Sequence, residues 1–141
     1  MVKEAIKTVN LSKKYGKNLV VNDLNLSIES GEIVGFLGLN GAGKTTTMRM
    51  LLGLIKPTSG ECYIQGNKID QYNLEVRNEI GYIIETPYSY PDLTVQENLE
   101  IVSTLRGIRN KDAIDWVTEK LKLDQYKDKQ VKHLSLGNVA R

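Results

Sequence analysis

Only one cysteine, no long apolar run and no excess of charge of either sign occur in these 141 residues. With Cys62 alone there is no disulfide framework and no thiolate metal cluster, which points to a reducing compartment and a cytoplasmic setting. The opening stretch, MVKEAIKTVN, has no apolar core of signal-peptide length. The longest nearly apolar run, IVGFLGL at 33–39, is far too short to cross a bilayer. Any membrane role therefore has to come through a partner. Nineteen lysines and arginines against seventeen acids leave a net charge of +2, and no basic stripe is interleaved with aromatics, so nucleic acid is not an expected partner. Internal repeats and low-complexity linkers are missing as well. What is present, 40% hydrophobic and 26% charged residues, is ordinary globular composition. A chain of this length can bury about 68% of its unfolded surface.

Strand patterns come first and helical patterns later. Residues 2–9 and 19–28 are β-rich, and in the second stretch Leu24, Leu26 and Ile28 alternate with polar residues, as in a half-buried strand. IVGFL at 33–37 and IGYII at 80–84 are apolar on both faces, the pattern of buried parallel strands. A helix is expected from about Lys44 to Leu54, stopped by Pro57 and the Ser-Gly that follows, and GECYIQG at 60–66 reads as another short strand. Beyond the Pro- and Tyr-rich stretch ETPYSYPD, Val95, Leu99, Val102 and Leu105 recur at helical spacing, as do Ile114, Val117 and Leu121. Residues 95–123 thus predict two amphipathic helices. Trp116, between two members of that second face, is expected to pack. The expected organisation is a β-rich core at 1–84, a linker at 85–94 and a helical part at 95–141.

The chemistry concentrates in GLNGAGKTT at 38–46, that is Gly38, Leu39, Asn40, Gly41, Ala42, Gly43, Lys44, Thr45 and Thr46. The run matches G-x-x-x-x-G-K-[ST] between an expected strand and an expected helix, which is the context a phosphate-binding loop requires. Gly38, Gly41 and Gly43 let successive N–H groups converge on an anion, and the helix N-terminus adds its positive end. Lys44 would reach the β- and γ-phosphates of a nucleotide, and the Thr45 hydroxyl would ligate Mg²⁺.

A phosphate loop alone does not distinguish transporter ATPases from GTPases, kinases or recombinases. Four further stretches do: LSKKYG before the loop, GLIKPTSGECYIQG after its helix, IGYIIETPYSYPDLTVQENL, and HLSLG near the end. In this order and spacing the chain resembles the ATP-binding subunit of ATP-binding-cassette (ABC) transporters over all 141 residues, and the run after IGYII looks like the subset that exports bacitracin, lantibiotics and similar peptides, or a general drug exporter. The resemblance implies an α/β P-loop NTPase core with an N-terminal antiparallel β portion and a helical subdomain, with ATP and Mg²⁺ as cofactors. It implies two partners, a separate transmembrane permease subunit and a second ATP-binding subunit in a homodimer or heterodimer, and a place on the inner face of the cell membrane. Tyr15, an exposed turn tyrosine by its sequence context, would stack on adenine. Ser135 and Gly137 would contact the γ-phosphate held by the opposite subunit. Tyr88 and Tyr90 would lie where the helical half receives the permease, or else pack within their loop.

The chain departs from the family pattern at several positions. Leu136 and Asn138 occupy the third and fifth places of the signature, commonly Leu-Ser-Gly-Gly-Gln, and Glu85 stands where most members carry a glutamine that reaches Mg²⁺ and the attacking water. A carboxylate can also ligate Mg²⁺, so Glu85 is a candidate catalytic and metal residue beside Lys44 and Thr45. His133 precedes the signature, whereas the family's γ-phosphate histidine follows the catalytic carboxylates, so His133 is expected to be an ordinary surface residue. No apolar strand ending in paired acids follows Leu134. The chain is therefore expected to be the N-terminal part of a longer ATPase, inactive alone, ended by a premature stop, a gene fragment or a cloning boundary. A non-catalytic nucleotide-binding or regulatory fragment and a nonfunctional remnant are the alternatives.

Overall fold

Alternation along 19–28 predicts a strand with one covered face, and the computed structural model, which describes residues 4–70, 76, 79–84, 88–110 and 112–139, places Leu24, Leu26 and Ile28 half-buried on such a strand. β1 (Glu4–Tyr15) and β2 (Asn18–Glu29) form a long antiparallel hairpin. Its turn is Gly16 and Lys17, with Gly16 at φ 57°, a conformation glycine takes without a Cβ penalty. β3 (Ser59–Ile64) pairs with the other edge of β1, and β4 (Asn67–Lys68) with β3. The sheet order is β2-β1-β3-β4, antiparallel throughout. Its register slips between Thr8 and Leu11, where Asn10 takes φ 46°. Gly60 faces this bulge, and a Cβ there would lie 2.2 Å from the Asn10 carbonyl oxygen, so a side chain has no room at that crossing.

Among the described residues, α1 (Lys44–Leu51) lies against this sheet. Its buried residues Thr47, Met50 and Leu51 fall at i, i+3 and i+4, the spacing of one helical face. Met50 and Leu51 join Leu11, Val21, Cys62, Ile64 and Ile69 in a core where Leu11 and Met50 are fully buried. The helix ends three residues earlier than the proline at 57 suggests. Gly53 turns left-handed at φ 62°, its N–H donates to the Met50 carbonyl (2.9 Å), and the Leu54 N–H donates to that of Arg49 (2.8 Å). These are the two bonds of a Schellman ending.

Two expected strands are absent. Residues 32–39 and 80–84 have no regular secondary structure. Ile33 is fully exposed, Leu37 is 92% exposed and Ile83 66%. A strand apolar on both faces is stable only between hydrogen-bonded neighbours with a layer on each side. Among the described residues every strand belongs to the antiparallel sheet, and none offers a parallel edge to either run. Phe36 and Val34 of the first run are partly covered, lining an apolar cavity of about 230 Å³ with Leu26, Ile28, Met48 and Leu51.

The chain divides into two compact units, Met1–Ile84 and Glu85–Arg141. The second contains α2 (Val95–Leu105), α3 (Ala113–Lys120), two 3₁₀ turns (Asp124–Tyr126 and Val131–His133) and a short α4 (Leu136–Val139). Thr94 and Glu97 form a reciprocal capping box at the start of α2: the Glu97 N–H donates to Thr94 Oγ1 (3.2 Å) and the Thr94 N–H to Glu97 Oε2 (2.7 Å). Backbone bonds from Val95 to Lys129, Val131 to Leu93 and Lys132 to Pro91 tie the entry of α2 to the segment before α4. On α3, Ile114, Val117 and Leu121 are half-buried and Thr118 is fully buried, one face at i, i+3, i+4 and i+7. Trp116 does not pack as expected: it lies off that face and is 62% exposed. No helix among the described residues is long and apolar enough to cross a membrane.

Candidate functional site

The loop at 38–46 is shaped by its own glycines and by what lies behind them. Gly41 and Gly43 take φ 84° and 87°, and the Ala42 N–H donates to the Leu39 carbonyl at 3.1 Å, closing a tight turn. Gly38 approaches Ala42 closely, since a Cβ on it would lie 3.2 Å from that of Ala42. Gly43 is the most constrained. A Cβ on it would lie 2.6 Å from the Val20 carbonyl oxygen and 3.0 Å from Val21 Cγ2, so the loop's last glycine is pressed against β2. Val20 sits at a register irregularity: Lys13 pairs with Val21 and Lys14 with Leu19, leaving Val20 unmatched. The bulge thus meets the loop.

α1 starts directly from Gly43, whose carbonyl accepts both the Thr47 N–H (2.8 Å) and the Thr47 hydroxyl (3.0 Å). The first helical N–H groups have no carbonyl one turn back, and no acidic residue lies in that first turn. The helix end therefore presents donors and a positive dipole toward the loop. Lys44 turns its ammonium onto the loop, donating to the carbonyls of Gly38 (2.6 Å) and Leu39 (2.7 Å). Leu39, Asn40 and Thr45 are exposed, and Thr46 is half-buried. Backbone donors, one ammonium and an accessible hydroxyl thus converge at one helix terminus, an arrangement suited to a polyphosphate and a hard divalent cation.

Tyr15 ends β1, paired with Asn18 across the hairpin and 49% exposed. Because Gly43 packs on Val20 and Val21, the hairpin tip that bears Tyr15 is a neighbour of the loop. Lys13 Nζ lies over the Tyr15 ring, 5.0 Å from its centroid. Lys13 was missed in the sequence, although a signal for it exists: residues two apart on a strand share a face.

Ser135 and Gly137 belong to the second unit. The Ser135 carbonyl accepts the N–H groups of Asn138 (2.9 Å) and Val139 (3.1 Å), and its hydroxyl accepts that of Asn138 at 3.4 Å, so Ser135 caps α4. Nothing lies within 4 Å of where a Gly137 Cβ would be. His133 is exposed on its 3₁₀ turn. Tyr88 and Tyr90 stack edge to face at 5.7 Å between centroids, both exposed. Glu85 lies outside the described residues. No cluster of three or more His, Cys, Asp or Glu side chains placed to hold a metal occurs among the described residues.

The comparisons with known proteins agree with one another. A family profile for ABC transporters matches residues 21–141. BcrA, the bacitracin transport ATP-binding protein of Bacillus licheniformis, is 49% identical over 136 residues, covering 96% of this chain and 44% of that protein. The lantibiotic transport ATP-binding protein SrtF of Streptococcus pyogenes is 35% identical over 96% of this chain and 58% of its own length. Among solved structures, an ATP-binding subunit of an ABC transporter superposes with a TM-score of 0.80 at 28% identity, over 96% of this chain and 59% of that one. A dimeric ATP-binding cassette in a post-hydrolysis state, bound to ADP and Pi, gives 0.77 at 27% identity, over 95% and 65%. The chain thus spans less than half the length of BcrA. The profile covers the glycine-shaped loop, α1 and the helical unit, the solved structures superpose on 95% or more of the chain, and the chain belongs to the ABC transporter family, with its α/β P-loop ATPase fold.

Proposed function

We propose that this chain is the nucleotide-holding part of an ATP-binding subunit that couples ATP binding and hydrolysis to export through a separate permease, with an antimicrobial peptide or a drug as cargo. The observation that carries the reading is the convergence of Lys44, the glycine-shaped loop and the N-terminus of α1 on one surface. The amides at 41–46 hold the phosphates, with Gly38, Leu39, Asn40 and Ala42 giving the loop its shape. Lys44 exchanges the carbonyls of Gly38 and Leu39 for β- and γ-phosphate oxygens, and Tyr15 stacks on adenine. Mg²⁺, when bound, neutralises charge developing on the phosphates. The Thr45 hydroxyl and the Glu85 carboxylate would be its protein ligands, oxygen donors of the kind this hard cation takes. Ser135 and Gly137 meet the γ-phosphate of a second ATP-binding subunit. The protein sits on the cytoplasmic face of the membrane through the permease. The relatives BcrA and SrtF, named for bacitracin and lantibiotic transport, favour a peptide antibiotic as cargo.

The test is expression of the protein at its natural length, with its permease, in a bacitracin-sensitive host. Bacitracin or lantibiotic resistance should rise, and Lys44→Ala should abolish the rise along with Mg-ATP binding by the purified protein. Resistance that survives Lys44→Ala would remove ATP from the mechanism. Binding without any resistance would remove the peptide cargo.

A further inference from the structure

We propose that Lys13 is a positioning residue for the nucleotide base: its ammonium occupies one face of the Tyr15 ring and so presents the opposite face to adenine. A half-exposed tyrosine at a hairpin tip is free to sample several rotamers, and a base that stacks on it must first pay for choosing one. Here the choice is already made. Lys13 Nζ lies 5.0 Å from the ring centroid, within cation–π range. The ammonium is itself fixed, since it donates to the Lys56 carbonyl at 2.5 Å.

That carbonyl lies on a strap laced to the end of β1. The Thr58 N–H donates to the Ser12 carbonyl at 2.9 Å, and the Lys14 N–H donates to Thr58 Oγ1 at 3.0 Å. The strap follows the turn that ends α1, and α1 begins at the phosphate loop. Lys13 therefore closes a ring of contacts that runs from Tyr15 through residues 56–58 and α1 to Gly43, and from Gly43 through Val20 back to the hairpin. A base platform in such a ring keeps its spacing from the phosphate site. Preorganisation of this kind raises affinity by reducing what must be ordered on binding.

The inference rests on the reading of Tyr15 as the adenine platform, and the experiment separates the two. In the protein at its natural length, Mg-ATP and Mg-tripolyphosphate, which has no base, are titrated calorimetrically against wild type, Lys13→Met, Lys13→Gln, Lys13→Arg and Tyr15→Leu. Lys13→Met keeps the aliphatic stem and loses the cation. It should raise the ATP Kd about two- to fivefold, leave the tripolyphosphate Kd unchanged, and be matched by Lys13→Gln and corrected by Lys13→Arg. Equal weakening of both ligands would assign Lys13 to the phosphates or to general stability and overturn the inference, as would an unchanged ATP Kd or no rescue by arginine. If Tyr15→Leu weakens ATP alone while Lys13→Met is silent, only the Lys13 inference fails. If Tyr15→Leu is silent, the adenine reading fails with it.

Discussion

Gly43 and Gly41 provide a matched pair of perturbations inside one loop. Both are left-handed, at φ 87° and 84°, so alanine at either position carries a similar backbone penalty, roughly 1–2 kcal/mol. They differ in their surroundings. A Cβ at Gly41 meets nothing within 4 Å, whereas at Gly43 it meets the Val20 carbonyl oxygen at 2.6 Å and Val21 Cγ2 at 3.0 Å. Carbon and oxygen keep about 3.3 Å apart even in favourable contacts, so the loop or β2 has to give by roughly 0.7 Å. Forcing such a shift on packed backbone adds about 1–3 kcal/mol. Gly43→Ala should therefore cost about 2–5 kcal/mol and Gly41→Ala about 1–2 kcal/mol. Urea unfolding of the two variants at the protein's natural length measures the difference. ATP affinity should fall further for Gly43→Ala, because the displaced residue supplies the carbonyl that starts α1. Equal midpoints for the two variants would show that β2 does not press on the loop.

Two further perturbations probe the rest of the chain. Thr94→Ala removes the capping box of α2 and should destabilise the helical unit by about 1 kcal/mol in thermal or urea unfolding. The same contacts, the Thr94 N–H first and its hydroxyl second, hold the Glu97 carboxyl below its ordinary 4.5. A lowered folded pKa gives stability that is present above 4.5 and lost as acid protonates the group; Thr94→Ala drops the hydroxyl but keeps the N–H, so wild type should lose somewhat more stability than the variant between about pH 6 and pH 3. A parallel loss in both would exclude a contribution from the Thr94 hydroxyl and leave the N–H as the contact that lowers the Glu97 carboxyl. Cys62 is 1% exposed and burial pushes its thiol from 9.0 up to about 11. In the folded protein it should resist a disulfide reagent at about pH 8 and react fully once unfolded. Its contribution to stability is complete below 9.0 and fades as pH rises toward 11, a slope that Cys62→Ala should lack.

Local signals in the sequence translated well, and signals that depend on a neighbour did not. The glycine spacing at 38–43, the helix start at Lys44 and the alternation along 19–28 each depend on a few adjacent residues, and each is found. IVGFL and IGYII fail because a doubly apolar run states only that both faces are greasy, while pairing is decided by which strands lie beside it. Trp116 fails through angle: positions 114, 117, 118 and 121 fill the covered face of α3, and position 116 points away from it. The ending of α1 is subtler. Pro57 is a visible breaker, but the left-handed Gly53 acts first, because its N–H and that of Leu54 bond the Met50 and Arg49 carbonyls of the last turn.

The phosphate loop keeps its shape although the run before it is not in a sheet, and the contacts explain how. Gly43 is set against Val20, Ala42 closes onto Leu39, and Lys44 reaches the carbonyls of Gly38 and Leu39. None of these involves residues 33–37. The loop is fixed from its C-terminal side by α1, and α1 is fixed by Met50 and Leu51 packed with Leu11 and Cys62 on the antiparallel sheet. Positioning of the phosphate site is thus a property of the helix–sheet core, and the fully exposed Ile33 contributes little to it. The same logic accounts for the bulge at Val20. An even register would move the carbonyl that Gly43 meets, so the irregularity in β2 and the glycine at 43 are two halves of one contact.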